Sequence, residues 1–407
     1  MNQQTYCKLI SGQSSGFGAS ILRFLLAVAA IGYSLAVRLR NLLYSKGLFK
    51  VHHVDAAVIC VGNITVGGTG KTPLVVWLCN LITQNPKLKT QNCRCAILTR
   101  GYMARAQEHK SIRAQENENF KDEIAIIAKS CREAKVIVNP DRVAGAAEAI
   151  EKYAAKVLIM DDGFQHRRLA RDLDIVTIDA TQPFGYGKLL PAGLLREPVS
   201  SLSRAGAVVI TRCDQVTEVH LSELEQKLRA INPDMIIAKS IHAAVSIKYP
   251  EPSVILAQAG IQKDGETMDS CLRRARSVLD TGNDNIEQLK GKKIFAFCGI
   301  GNPDAFLNTI KNLGAELAGS KIYDDHYHYT DACLTEISEQ AVELGADLIL
   351  TTQKDWTKVI SNPEFQISES KSPLPFAYLA IEIKFLAGED KLTALIKDTL
   401  AGKIRQK

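Results

Sequence analysis

Residues 1–54 contain no aspartate or glutamate, while Lys8, Arg23, Arg38, Arg40, Lys46 and Lys50 are all basic. Excess charge is also missing from the chain as a whole. A net charge of +6 over 407 residues suits an anionic substrate or membrane surface and gives no case for nucleic acid as a partner. No Cys-x-x-Cys pair and no His/Cys cluster occurs among the 10 scattered cysteines. That excludes zinc sites of the usual spacing and a secreted disulfide framework, and favours a reducing compartment. There is no internal repeat, no low-complexity segment and no sign of an obligate protein partner. The apolar run Phe24 to Val37 stops at 14 residues, short of the roughly 20 that a spanning helix needs.

What is present is an ordinary globular composition, 46% hydrophobic and 23% charged, long enough for two or three domains. The acid-free N-terminus, with Arg38, Arg40, Tyr44 and Lys46 after its apolar run, reads as a helix lying in or dipping into an anionic membrane face. A buried core helix and an organelle transit peptide are the competing readings, and no small-residue cleavage site marks a secretory signal.

The chain is organised around Val61-Gly62-Asn63-Ile64-Thr65-Val66-Gly67-Gly68-Thr69-Gly70-Lys71-Thr72-Pro73. An apolar run, Ala56 to Cys60, precedes it as a buried strand, and Leu74 to Leu78 follows as a buried helix. Glycines let backbone N–H groups converge on an anion, with the positive end of the helix dipole behind them. The segment fits the Gly-Lys-[Ser/Thr] half of the phosphate-loop pattern, with Thr65 where the first Gly usually stands. Thr65, Val66, Gly67, Gly68, Thr69, Gly70, Lys71 and Thr72 are therefore assigned to a nucleoside triphosphate, Lys71 to its terminal phosphates and the Thr72 hydroxyl to Mg²⁺.

From Asp55 to about Ala238, apolar strands alternate with helices, including Asp122–Ser130, Asp141–Tyr153 and Leu221–Ala230. Continuous apolar strands between helices predict an α/β, phosphate-loop NTPase-like, doubly wound parallel sheet, with ligands at the strands' carboxyl ends. The rhythm lapses over residues 240–291, read as a linker with a small β-ribbon, and a second, smaller α/β domain follows. The expected divisions are 1–54, 55–239, 240–291 and 292–407.

Val157 to Met160 is an apolar strand ending in Asp161-Asp162, the placement that serves the metal on the β- and γ-phosphates. Which acid meets the metal more directly stays open. Gly163-Phe164-Gln165-His166 continues the run; His166 either donates to phosphate or is structural. Arg100, in Thr99-Arg100-Gly101-Tyr102 at another strand end, is a candidate phosphate clamp or a surface charge.

These segments, with Leu190-Pro191-Ala192-Gly193-Leu194-Leu195-Arg196-Glu197-Pro198, Cys298-Gly299-Ile300-Gly301-Asn302-Pro303 and Thr351-Thr352-Gln353-Lys354-Asp355, occur in one order. The combination resembles the tetraacyldisaccharide 4′-kinases of lipid A biosynthesis over about residues 20 to 400. The resemblance implies transfer of the ATP γ-phosphate to the 4′-hydroxyl of a tetraacylated glucosamine disaccharide 1-phosphate, forming lipid IVA. It implies peripheral or monotopic attachment at the cytoplasmic face of the inner membrane through the N-terminal helix, and two α/β domains joined by a β-ribbon. It carries the catalytic base to Asp122, in Phe120-Lys121-Asp122-Glu123, where Lys121 replaces the usual Gly. From the residues alone Asp122 reads as a helix N-cap. It also implies a histidine supporting that base, matched by His326 in Asp325-His326-Tyr327-His328, with His328 as the neighbouring candidate. Arg196 is implied as a site residue and Glu197 as its neighbour on the acceptor side. Gln353 stands where Glu is common.

Two other readings compete. One is a GTPase or nucleotide-dependent switch protein, because Thr211-Arg212-Cys213-Asp214 is similar to the guanine-reading [Asn/Thr]-Lys-x-Asp motif. The other is a membrane-associated ATPase with a protein client.

Overall fold

A computed structural model describes residues 3–84, 94–101, 111–112, 122–249, 285–325, 327–360 and 374–405. The chain forms two compact units, one of residues 1–242 with 383–407 and one of residues 243–382. Helices α1 (Gln3–Ile10) and α2 (Phe17–Ser45) open the first unit. Helix α2 is about twice as long as the apolar run that announced it, because its amphipathic flanks continue the same helix. By length and composition it is able to cross a membrane, and little of it is buried. Phe17, Phe24, Leu25, Val28, Ile31, Leu35, Leu39 and Leu42 expose an apolar stripe along it.

The sheet of the first unit contains β1 (Ala57–Gly62), β2 (Arg94–Thr99), β3 (Ser111–Ile112), β4 (Lys135–Val138), β5 (Ala155–Asp161), β6 (Leu173–Asp179), β7 (Ala207–Thr211) and β8 (Ile236–Lys248). Its order is β8-β7-β6-β1-β5-β2-β4-β3. All pairings are parallel except that of the short β3 with β4. Strand β1 is buried throughout, as expected of a strand covered on both faces. The helices that cover the sheet are α3 (Lys71–Gln84), α4 (Asp122–Ser130), α5 (Arg142–Tyr153) and α6 (Glu218–Ile231). In α3 the residues Leu74, Val75, Leu78, Cys79 and Ile82 are buried, the three-and-four spacing of one helix face. The order places β1 between β5 and β6, so the loop leaving β1 stands between the carboxyl ends of both.

The second unit carries β9 (Lys293–Cys298), α7 (Pro303–Asn312), β10 (Glu316–Ile322), α8 (Asp331–Glu343), β11 (Leu348–Thr352), α9 (Gln353–Ile360) and β12 (Phe376–Ala387), with strand order β10-β9-β11-β12 and parallel pairing. The last helix, α10 (Glu389–Arg405), departs from the expected division. It belongs with the first unit, where Leu392, Ile396 and Leu400 join the core beside α3 and β1. The indole of Trp77 packs on Phe385 with ring centroids 4.8 Å apart and donates to Glu389 at 3.2 Å. Ala243 to Lys248, expected as linker ribbon, continue β8. Residues 250–284, the rest of that linker, lie outside the described residues. None of the eight cysteines described is in a disulfide.

Candidate active site

The loop from Asn63 to Gly70 is held open by its own residues and by three neighbouring strands. Gly67 and Gly70 have φ of +119° and +87°, conformations that L side chains rarely adopt. The buried Asn63 amide donates to Thr69 Oγ1 at 3.0 Å. The Thr69 hydroxyl also meets that of Thr177 on β6 at 2.8 Å. The front of the loop is tied to residues 188–196: Val66 N–H donates to the Leu194 carbonyl at 2.8 Å and Arg196 N–H to the Ile64 carbonyl at 2.7 Å. The Leu190–Pro191 bond in that segment is cis. Gln165, in the Asp-Asp-Gly-Phe-Gln-His run, donates to the Asn63 carbonyl at 2.7 Å.

At the end of β5 the two acids part, because Asp161 is the last residue of the strand and Asp162 already lies in the turn beyond it. Asp161 is buried and accepts from the Thr99 hydroxyl at 3.2 Å. Its carboxyl is pushed up to about 7 by burial and by the charges of Asp162 and Glu123, with Lys71 and Arg142 opposing. Asp162, at φ +48°, turns to the other side. Arg196 donates to both of its carboxylate oxygens at 3.0 Å, and Lys71 Nζ lies 3.6 Å away. Burial raises Asp162, but the charges of Lys71 and Arg196 outweigh it and hold its carboxyl below the usual range. The structure thus brings Lys71, Asp162 and Arg196 together, with Asp161 beside them.

The remaining expected residues of the first unit lie at strand and helix ends or in the loops between. Asp122 is the first residue of α4, and the electrostatic effect of the adjacent Glu123 on Asp161 places that helix start on the same side. The Asp122 side chain and all of His326 lie outside the described residues; His328 is exposed. Arg100 ends β2 in an exposed position, close enough for its charge to act on Arg142. His166 is half-buried, with an unpartnered Nδ1, and burial holds its imidazole below the usual range. Glu197 does not line a cleft. It is fully buried and bonded to Arg204 at 2.8 Å and to Arg40 of α2. Tyr33 of α2 donates to the Arg196 carbonyl at 2.9 Å, so the membrane-type helix is clasped to the loop that carries Arg196.

One residue of this cluster had no sequence signal assigned to it. Arg142 is buried at the start of α5 and donates to the Asp161 carbonyl at 3.1 Å and the Asn139 carbonyl at 2.8 Å. Its only sequence trace is position, at the carboxyl end of β4 just after the N-cap Asp141, where Arg100 stands relative to β2.

A lysine and a threonine at a helix start, facing a strand that ends in acids, make a triphosphate site that suits a kinase. The comparisons agree. Residues 22–401 match the family model described as tetraacyldisaccharide-1-P 4′-kinase. A tetraacyldisaccharide 4′-kinase of Halothermothrix orenii is 34% identical over 345 residues, covering 83% of both chains. That of Chlorobaculum parvum is 30% identical over 392 residues, covering 94% of this chain and 96% of the relative. A crystal structure of LpxK from Aquifex aeolicus in complex with ATP matches with a TM-score of 0.62 and 27% identity, covering 93% of this chain and 99% of that one. The switch-protein and client-ATPase readings give way to this agreement. The chain belongs to the tetraacyldisaccharide-1-P 4′-kinase family.

Proposed function

We propose that this chain transfers the γ-phosphate of ATP to the 4′-hydroxyl of a tetraacylated glucosamine disaccharide 1-phosphate. The convergence of Lys71, Asp162 and Arg196 at the start of α3 carries this reading. In phosphoryl transfer the protein's task is to position both partners and stabilise charge. The backbone from Thr65 to Thr72 cradles the β- and γ-phosphates, and Lys71 compensates the charge on the transferred group. Arg196, already aligned by Asp162, Arg100 and His166 lie around the phosphates or the acceptor.

Thr72, Asp161 and Asp162 offer hard oxygen donors of the kind Mg²⁺ takes. The rise of Asp161 to about 7 comes first from burial and then from the negative charges of Asp162 and Glu123, both of which a divalent cation at the carboxylate would offset. Bound there with ATP, Mg²⁺ supplies charge neutralisation on the β- and γ-phosphates. Asp162 is already engaged by two cationic side chains, which leaves Asp161 as the acid with the greater need of the ion.

Asp122, at the start of α4, takes the proton of the acceptor hydroxyl, and His326 supports it. The greasy acceptor gives the exposed stripe of α2 a purpose: it seats the chain on the cytoplasmic face of the inner membrane. A groove of about 300 Å³ between α2 and the 188–192 segment, walled by Ala27, Ile31, Leu35 and Leu189 among others and flanked by Arg38 and Lys188, lies where acyl chains would meet the protein.

A radiolabelled γ-phosphate assay with the acylated disaccharide 1-phosphate in detergent micelles tests the reading. A labelled bisphosphorylated lipid that vanishes in Lys71→Ala is the expected result. Nucleotide hydrolysis without lipid product would overturn it. Asp122→Ala that folds normally and keeps full transfer would remove the base from Asp122.

A further inference from the structure

The Thr211-Arg212-Cys213-Asp214 segment has no part in the chemistry above, yet its first two residues reach the phosphate cradle. The Thr211 hydroxyl donates to the Thr69 carbonyl at 3.0 Å. Arg212 donates through one guanidinium nitrogen to the Gly68 carbonyl at 2.9 Å and through the other to the carboxylate of Asp179, at the end of β6. Asp179 is itself fixed by the Thr181 backbone N–H at 3.0 Å and hydroxyl at 2.7 Å. Arg212 is buried and sits at φ +56°, a left-handed conformation that its two bonds hold in place. At the next loop residue, His242 of β8 closes the same side: a Cβ on Gly70 would lie 2.4 Å from its Nε2 and 3.1 Å from Thr211 Cγ2.

Three successive residues of the loop, Gly68, Thr69 and Gly70, are therefore met from one side by the end of β7 and the middle of β8. In a trans peptide the carbonyl and the following N–H point in opposite directions. Fixing the Gly68 and Thr69 carbonyls on the β7 side turns the N–H groups of Thr69 and Gly70 to the opposite side of the loop, where the Thr69 N–H meets the Gly67 carbonyl at 3.1 Å, a bond that a phosphate oxygen would replace. An arginine rather than a lysine suits this position, because only a planar fork binds two acceptors at fixed angles.

We propose that Arg212, seconded by Thr211, is a positioning residue of the triphosphate site. It sets the direction of the cradle's N–H groups and acts on nucleotide affinity through the loop, without touching the transferred phosphate. The proposal rests on the kinase reading but concerns nucleotide binding alone.

The test is direct titration of the full-length protein with a fluorescent ATP analogue and Mg²⁺, beside lipid phosphorylation kinetics. Arg212→Ala should weaken analogue binding and raise the KM for ATP about tenfold or more, with kcat at saturating ATP within about threefold. Arg212→Lys, which can keep one of the two bonds, should fall between Ala and the parent. Thr211→Val keeps the ion pair with Asp179 and should raise KM by a smaller factor, so it decides the matter if Arg212→Ala fails to fold. Unchanged analogue affinity in folded Arg212→Ala or, failing that, in Thr211→Val would overturn the proposal. So would a fall in kcat with KM unchanged. If the parent protein bound no triphosphate at all, the kinase reading would fail instead.

Discussion

Asp161 and Asp162 are adjacent in sequence and opposite in electrostatic character. Burial acts on both, but Asp162 faces Lys71 and Arg196 while Asp161 faces Glu123 and Asp162. Raising the folded-state pKa of Asp161 from 3.8 to about 7 means the folded protein holds a proton that the unfolded chain releases. Its contribution to stability is therefore fully present below pH 3.8 and is lost as pH rises through about 7. Asp161→Asn should remove that slope. Thermal melts without Mg²⁺ should show the variant gaining on the parent between pH 5 and pH 8, and equal pH dependence of both would contradict the assignment. At Gly70, alanine would meet His242 and require a strained φ. Gly70→Ala should lose transfer activity on the order of 100-fold or more, comparable with losing a charge-stabilising donor, as measured by kcat/KM for ATP.

The elements were legible in the sequence where burial alone dictates them. Strands β1 and β5 lie within two residues of the apolar runs Ala56 to Cys60 and Val157 to Met160, because a strand covered on both faces is apolar nearly throughout. Helix α2 was under-read, since only its middle is uniformly apolar; its ends follow a one-sided pattern that Phe17 to Arg23 and Arg38 to Ser45 share between solvent and protein. The bonds of Arg212, Arg142 and Arg40 were not legible at all. A lone arginine carries no pattern, and partners such as Glu197 for Arg40 or Asp179 and Gly68 for Arg212 lie far away in sequence. Helix α2 itself makes two predictions. Aspartate at Ile31 and Leu35, both exposed, should leave the melting temperature unchanged but abolish binding to anionic vesicles in a flotation assay, since each charge in hydrocarbon costs about 2.5–3.5 kcal/mol. Glu197→Ala removes the partner that Arg40 of α2 shares with Arg204, and so unclasps α2 from the loop after Arg196. The expected loss is about 2 kcal/mol by denaturant titration, below that of fully buried pairs because both arginines keep some access to water.

At the scale of the whole molecule, the sequence showed two α/β regions in series but not that the chain returns. Chain order says nothing of which core a terminal helix joins, and the amphipathic pattern of α10 would serve either unit. Its Leu392, Ile396 and Leu400 are fully or almost fully buried in the first unit. At about 1.5–3 kcal/mol for each such side chain, deleting residues 389–407 removes an amount comparable with the total stability of an ordinary domain. The shortened chain should accumulate as insoluble or protease-sensitive material in expression trials, and a soluble chain that binds ATP would refute this.

The return of α10 also has a consequence for biosynthesis. A ribosome delivers α2 before the phosphate loop, but the residues that complete the core beneath that loop emerge only after the whole second unit. At about 5–20 residues per second, the nascent nucleotide-binding unit waits many seconds with one flank of its sheet uncovered, after its lipid-seeking helix has already been made. If α2 seats the chain on a membrane as proposed, attachment can precede enzymatic competence, which waits until residues 389–405 have been made.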